Sequence, residues 1–125
     1  MDLITKIRLF IAQYHSLYEN GKIRYNLNKK SQDFLRKINM TVQTMSDYVY
    51  KNLKPEMFYQ GPSKHHKLDT FQVMVFEMPY KNKKLYVKLA IGEIPTNKNE
   101  TDGITIYMSF HPEEREMYLP LKKGD

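Results

Sequence analysis

Residues Gly103–Glu114 read GITIYMSFHPEE. Ile104, Ile106, Met108 and Phe110 take every second place, Thr105, Tyr107, Ser109 and His111 take the places between, and Pro112 ends the run. A period of two belongs to a strand with one face in a core and the other toward solvent. The run is therefore read as a half-buried β-strand whose polar face carries an imidazole at its last position. Two earlier runs, TFQVMVFEM (Thr70–Met78) and KKLYVKLAI (Lys83–Ile91), have the β-branched and aromatic content of strands. PYKNKK joins them as a short hairpin loop, and GEIPTNKNETDG links the second to the third as a longer polar one. A last short strand is expected through Met117–Leu121.

Upstream the period changes. Leu3, Ile4, Ile7, Phe10, Ile11, Tyr14, Leu17 and Tyr18 recur at helical spacing, and Asn20-Gly21 supplies a stop. His15 is read as an edge residue of that helix. Lys22–Leu27 reads as a short extended piece. Ser31 is expected to cap a turn holding Phe34, Leu35 and Ile38, and Thr41 a further helix with Met45, Tyr48 and Val49 inward. That helix should end near Leu53, because Pro55 disfavours helical geometry in the residue before it. Helices first and then an antiparallel meander is the pattern of an α+β fold with the helices on one sheet face. The 125 residues are read as a single domain, mainly helical over 1–54 and sheet over 55–125.

Composition narrows the classes of function. An apolar fraction of 41% and an aromatic fraction of 13% are those of a chain that folds. There is no cysteine, which removes disulfide frameworks, thiolate nucleophiles and sulfur-ligated zinc. No stretch approaches the roughly 20 apolar residues of a membrane span, and the N-terminus lacks the features of a secretion signal, so no membrane partner and a cytoplasmic location are expected. Twenty Lys and Arg against fourteen Asp and Glu leave a net charge of +6, which favours a polyanionic partner. No phosphate-binding glycine loop, GxSxG elbow or dinucleotide fingerprint is present.

Alternation places Leu85, Val87, Leu89 and Ile91 in the core and Lys84, Tyr86, Lys88 and Ala90 on the opposite face. If this strand pairs antiparallel with the next, Tyr86 and Lys88 share a face with Tyr107, Ser109 and His111. A polar outer face is also what any half-buried sheet presents, and lysines blunt strand edges. His111 stands out because a side chain at a strand end beside a proline is rigidly held yet reachable, and its ordinary pKa suits proton transfer at neutral pH. The SKHHKLD loop gathers Lys64, His65, His66 and Lys67, where phosphate contact or simple solvation fits better than a metal, since the spacing matches no known ligand motif. No cofactor is expected.

Such a face offers what RNA cleavage by its own 2′-hydroxyl requires: a base, cations for the phosphate charge, and an acid for the departing 5′-oxygen. His111 can be base or acid, Lys88 and a loop lysine can hold phosphate oxygens, and Tyr86 can orient phosphate or stack on a base. The other reading is a non-catalytic binder that holds single-stranded nucleic acid on the same basic, tyrosine-bearing face.

The order MFYQGPSK, TFQVMVFEM, KKLYVKLAIGE and ITIYMSFHPEEREMYLPL resembles the MqsR-like toxins of bacterial toxin–antitoxin systems, over roughly Phe58–Leu121. The resemblance implies a RelE-like microbial ribonuclease architecture with helices on a twisted antiparallel sheet. It implies metal-independent cleavage of single-stranded mRNA, inhibition by a cognate antitoxin, and the ribosome as a candidate partner. It also implies that Tyr86 corresponds to an active-site tyrosine and that His111 stands after Ser-Phe, where the best-known branch has lysine and other relatives histidine. Gln72 falls within one residue of a family glutamine. Gln60 replaces an expected lysine after Phe-Tyr, a role that can pass to Lys64 or Lys67. The site set is His111, Tyr86 and Lys88 for chemistry, with Lys64, His66, Lys67, Gln72, Tyr107 and Ser109 for substrate.

Overall fold

The alternating runs become the central strands of one sheet. A computed structural model describes residues 1–21, 23–64, 71–92 and 104–121. Among these it contains helices α1 (Leu3–Asn20), α2 (Lys29–Lys37) and α3 (Val42–Asn52), and strands β1 (Ile23–Leu27), β2 (Phe58–Lys64), β3 (Phe71–Tyr80), β4 (Lys83–Gly92) and β5 (Ile104–Pro112). The strands lie in the order β1-β5-β4-β3-β2. β2, β3, β4 and β5 pair antiparallel in turn, and β1 pairs parallel to β5. The fold is α+β, and the short extended piece near Lys22–Leu27 is a true edge strand.

Local chemistry explains the helix limits. The Asp2 carboxylate accepts the Thr5 N–H at 2.8 Å, and Gly21 closes α1 at φ 72°, a left-handed conformation that glycine adopts freely. Thr41 caps α3 through the Thr44 N–H at 3.0 Å, and α3 stops at Asn52, ahead of Pro55. Ile7, Phe10, Ile11, Tyr14 and Leu17 of α1 bury against Met45 and Val49 of α3 and against the alternate sheet residues Met74, Phe76, Leu85, Val87, Leu89, Ile106, Met108 and Phe110. All these strand residues share one face, so the helices cover one side of the sheet. The Tyr14 and Tyr25 hydroxyls lie 3.1 Å apart, and Tyr25 meets Ser46 Oγ at 2.6 Å, joining α1, β1 and α3. Burial pushes the Tyr14 phenol well above its ordinary pKa. His15 is half-buried, with its ring 4.7 Å from that of Tyr50. No helix among the described residues is long and apolar enough to cross a membrane.

Three expectations need correction. Ser31 does not cap α2: Asn28 does, accepting the Ser31 N–H at 3.1 Å. Pairing of β1 with β5 ends at Leu27 and Met108, after which the Asn28 N–H reaches the Met108 carbonyl at 3.3 Å. Phe110, next along the β5 edge, donates its N–H to the wholly buried Ser31 Oγ at 2.6 Å. The expected strand at Met117–Leu121 is absent. β5 already has neighbours on both sides, so a chain leaving it finds no open edge, and only the Glu113 N–H prolongs the ladder by donating to the Lys84 carbonyl at 3.0 Å. Lys64 belongs to β2, not to a loop. β2 forms despite its glycine and proline by tolerating two register irregularities. Within it Gly61 sits at φ 123°, where an added Cβ would lie 2.5 Å from the Val73 carbonyl oxygen.

Ser31→Ala should cost about 1–3 kcal/mol, the cost of leaving a buried N–H unpaired. Urea denaturation would read it, and a loss of only a few tenths would mean that water replaces the serine.

Candidate active site

The β4–β5 register sets Tyr86 directly opposite His111 and Lys88 opposite Ser109, on the face away from α1 and α3. Direct neighbours of this kind bring side chains into contact. The Tyr86 and His111 rings lie nearly parallel, 18° apart with centroids at 5.3 Å. His111 Nδ1 is 2.9 Å from the Pro112 carbonyl oxygen, an acceptor, so this nitrogen carries the proton and donates. In the neutral ring Nε2 then holds the lone pair, which fixes the tautomer suited to accepting a proton.

This face is less open than alternation suggests. His111 is 8% exposed, Ser109 2% and Ala90 fully buried. Ala90 and Ser109 are short, and the chain that follows Pro112 walls the face beside them, with Met117 itself buried there. What remains is a cavity of about 590 Å³ with Tyr86, Lys88, Ser109 and His111 in its lining. α2 and its cap add Asn28, Lys29 and Lys30, β2 adds Tyr59 and Gln60, and the segment after β5 adds Glu113, Glu114, Arg115 and Met117. Burial raises the Tyr86 pKa, with the nearby Tyr59 and Glu114 adding to the effect. The phenol therefore stays protonated at neutral pH and serves as a hydrogen-bond donor. A hydrogen bond from Lys30 lowers the Glu114 pKa, helped by the charge of Lys30 and, less, of His111 and Arg115. Lys29 is 3.6 Å from Asp33, whereas among the described residues Lys88 and Arg115 enter no ion pair.

The other residues singled out from sequence disperse. Tyr107 is on the same face, opposite Ala90, but it packs edge-on against Phe71 at 5.5 Å and lies outside the cavity lining. Gln72 pairs with Ile91, a core residue, so parity turns it to the helix side. There it lines a separate cavity with Phe10 of α1 and Met74. Lys64 pairs with Gln72 and shares that position, away from His111. His66 and Lys67 lie outside the described residues. Gln60, not Lys64, is the β2 polar group that joins the site.

Several participants were not anticipated. Lys29 and Lys30 open α2, a helix whose packing on the end of β5 depends on the β1 pairing, which no local pattern announces. Arg115 sits between the end of β5 and Met117, where no strand or helix period marks a side chain for the cavity. Glu77 is 9% exposed and directly opposite Tyr86, so a carboxylate, a phenol and an imidazole run in one row across β3, β4 and β5. Its signal was visible: one acidic residue inside an apolar strand, on the parity of the outer face.

Chemically, the arrangement offers an imidazole of fixed tautomer, a protonated phenol against it, and cations within one cavity. It suits an anionic substrate with a proton to move. Among the described residues no cluster of three His, Asp or Glu side chains fit for a metal occurs.

The ring stack is measurable. A double-mutant cycle with Tyr86→Leu and His111→Leu should return a coupling of about 0.5–1.5 kcal/mol in urea denaturation. Additive effects would mean that the rings do not touch in solution.

Searched against models of known protein families and against curated proteins, the chain finds no match.

Proposed function

We propose that this chain is a metal-independent endoribonuclease acting on single-stranded mRNA, and the toxin of a bacterial toxin–antitoxin pair. The observation that carries the reading is the Tyr86–His111 stack beside the Lys88–Ser109 pair within a single cationic cavity. The motif resemblance to MqsR-like toxins supports the toxin assignment, with an antitoxin protein as partner and the ribosome as a further candidate.

In this mechanism His111 Nε2 takes the proton of the ribose 2′-hydroxyl. The 2′-oxygen attacks the adjacent phosphorus, a 2′-O–P bond forms, and the P–O5′ bond breaks to leave a cyclic phosphate. The 5′-oxygen takes a proton from the imidazolium or from a protonated group beside it. Lys88 and Arg115 offset the charge that grows on the phosphate oxygens, and Tyr86 donates a hydrogen bond or carries a base on its ring. Ser109 and Gln60 supply neutral hydrogen bonds at the cavity wall. Attack by the substrate's own hydroxyl explains why neither a cofactor nor a protein nucleophile is needed.

His111→Ala should remain folded by circular dichroism yet cleave RNA about a hundredfold to ten-thousandfold more slowly, the usual worth of general acid–base catalysis. The assay is single-turnover cleavage of a single-stranded transcript in EDTA, with and without ribosomes. Wild-type protein that leaves the transcript intact under both conditions would overturn the enzyme. If it then still binds RNA with a steep salt dependence that Lys88→Ala reduces, the chain is a nucleic-acid binder instead. Growth arrest on expression, relieved by co-expressing a neighbouring small reading frame, tests the toxin assignment.

A further inference from the structure

The segment that leaves β5 is acidic where the cavity is basic. Residues 113–116 read Glu-Glu-Arg-Glu, three carboxylates in four positions of a chain whose net charge is +6. Glu113 and Glu114 line the same cavity as Lys29, Lys30 and Lys88. The Glu114 carboxylate takes the Lys30 ammonium, an ion pair that closes across 84 positions of sequence and joins the segment to the first turn of α2. Met117 packs down beyond it, and the Glu113 N–H holds the other end to Lys84. The segment is thus fixed at both ends and presents negative charge to the cations that a phosphodiester would need.

Its hold is weak in its middle. Both side chains of the Lys30–Glu114 pair are 62% exposed, and exposed ion pairs contribute little. Glu113 Oε2 is buried with no hydrogen-bond partner among the described residues, a cost that the closed position carries and an open one would not. A phosphate oxygen offers Lys30 the same contact that Glu114 does.

Resting on the reading of the cavity as an RNA site, we propose that residues 113–116 are an intramolecular polyanion mimic. Lys30 is a phosphate subsite that Glu114 occupies in the free protein, and single-stranded RNA displaces Glu114 as it enters. The segment then competes with substrate as an autoinhibitory strap, and Lys30, once released, holds a phosphate of the strand away from His111.

The test is binding, not cleavage. A short, fluorescently labelled 2′-O-methyl oligoribonucleotide of mixed sequence lacks the attacking hydroxyl, so fluorescence anisotropy reads affinity alone. Glu114→Gln should bind it about two- to fivefold more tightly than wild type, the range set by the worth of an exposed ion pair. Glu56→Gln, which changes the net charge equally at a residue outside the cavity lining, should not. The gain should vanish in a Lys30→Gln background. A gain no larger than that of Glu56→Gln, a gain that survives Lys30→Gln, or no binding by any form would overturn the proposal. If Glu114→Gln binds more tightly through Lys30 but no form cleaves unmodified RNA, the strap stands and the nuclease reading falls. If wild type cleaves and Glu114→Gln gains nothing, only the strap falls.

Discussion

The site depends on the pairing register of β4 with β5. Val87 opposes Phe110 and Leu89 opposes Met108 in the core, so on the other face Tyr86 must meet His111 and Lys88 must meet Ser109. Slipping β5 by one residue against β4 would turn His111 toward α1 and α3 and put Phe110 in water. The burial that stabilises the sheet is therefore also what brings the reactive groups together. No separate interaction is needed to place them, and the Pro112 carbonyl fixes which ring nitrogen of His111 bears the proton.

The strands alone make a floor, not a cavity. Its walls come from α2 on one side, from β2 on another, and from the chain after Pro112. Each wall stands on a different contact. α2 is held by the Ser31 acceptor at the β5 edge, β2 by its irregular pairing with β3, and the final segment by Met117 and the ion pair to Lys30. The basic floor and the acidic final wall give the site its electrostatic character: a free protein that answers part of its own positive charge.

Much of this could be read from the residues. Alternation in Ile104–His111 and in Leu85–Ile91 identified both central strands and their faces, and helical spacing with Gly21 and Thr41 identified α1 and α3. Tyr86, Lys88, Ser109 and His111 followed from parity and come together. The failures have physical causes. Parity puts Gln72 with Ile91 on the helix side, which a family motif placed to within one residue could not reveal, because a shift of one changes the face. β2 carries no strand signal because Gly61 and Pro62 interrupt its run, although an edge strand tolerates both. Lys29 and Lys30 reach the site only through pairings distant in sequence, and distant pairing leaves no local periodicity.

The parallel pairing of β1 with β5 also orders events during synthesis. Residues 23–27 are made well before their partner strand, 104–108. Until then α2 has no β5 edge to dock on, and neither His111 nor the wall beyond it exists. A nascent chain thus carries helices and a hairpin without a finished cavity. The cavity closes only once β5 and the residues after Pro112 have been made, so a product cut short before β5 lacks both His111 and the wall beyond it.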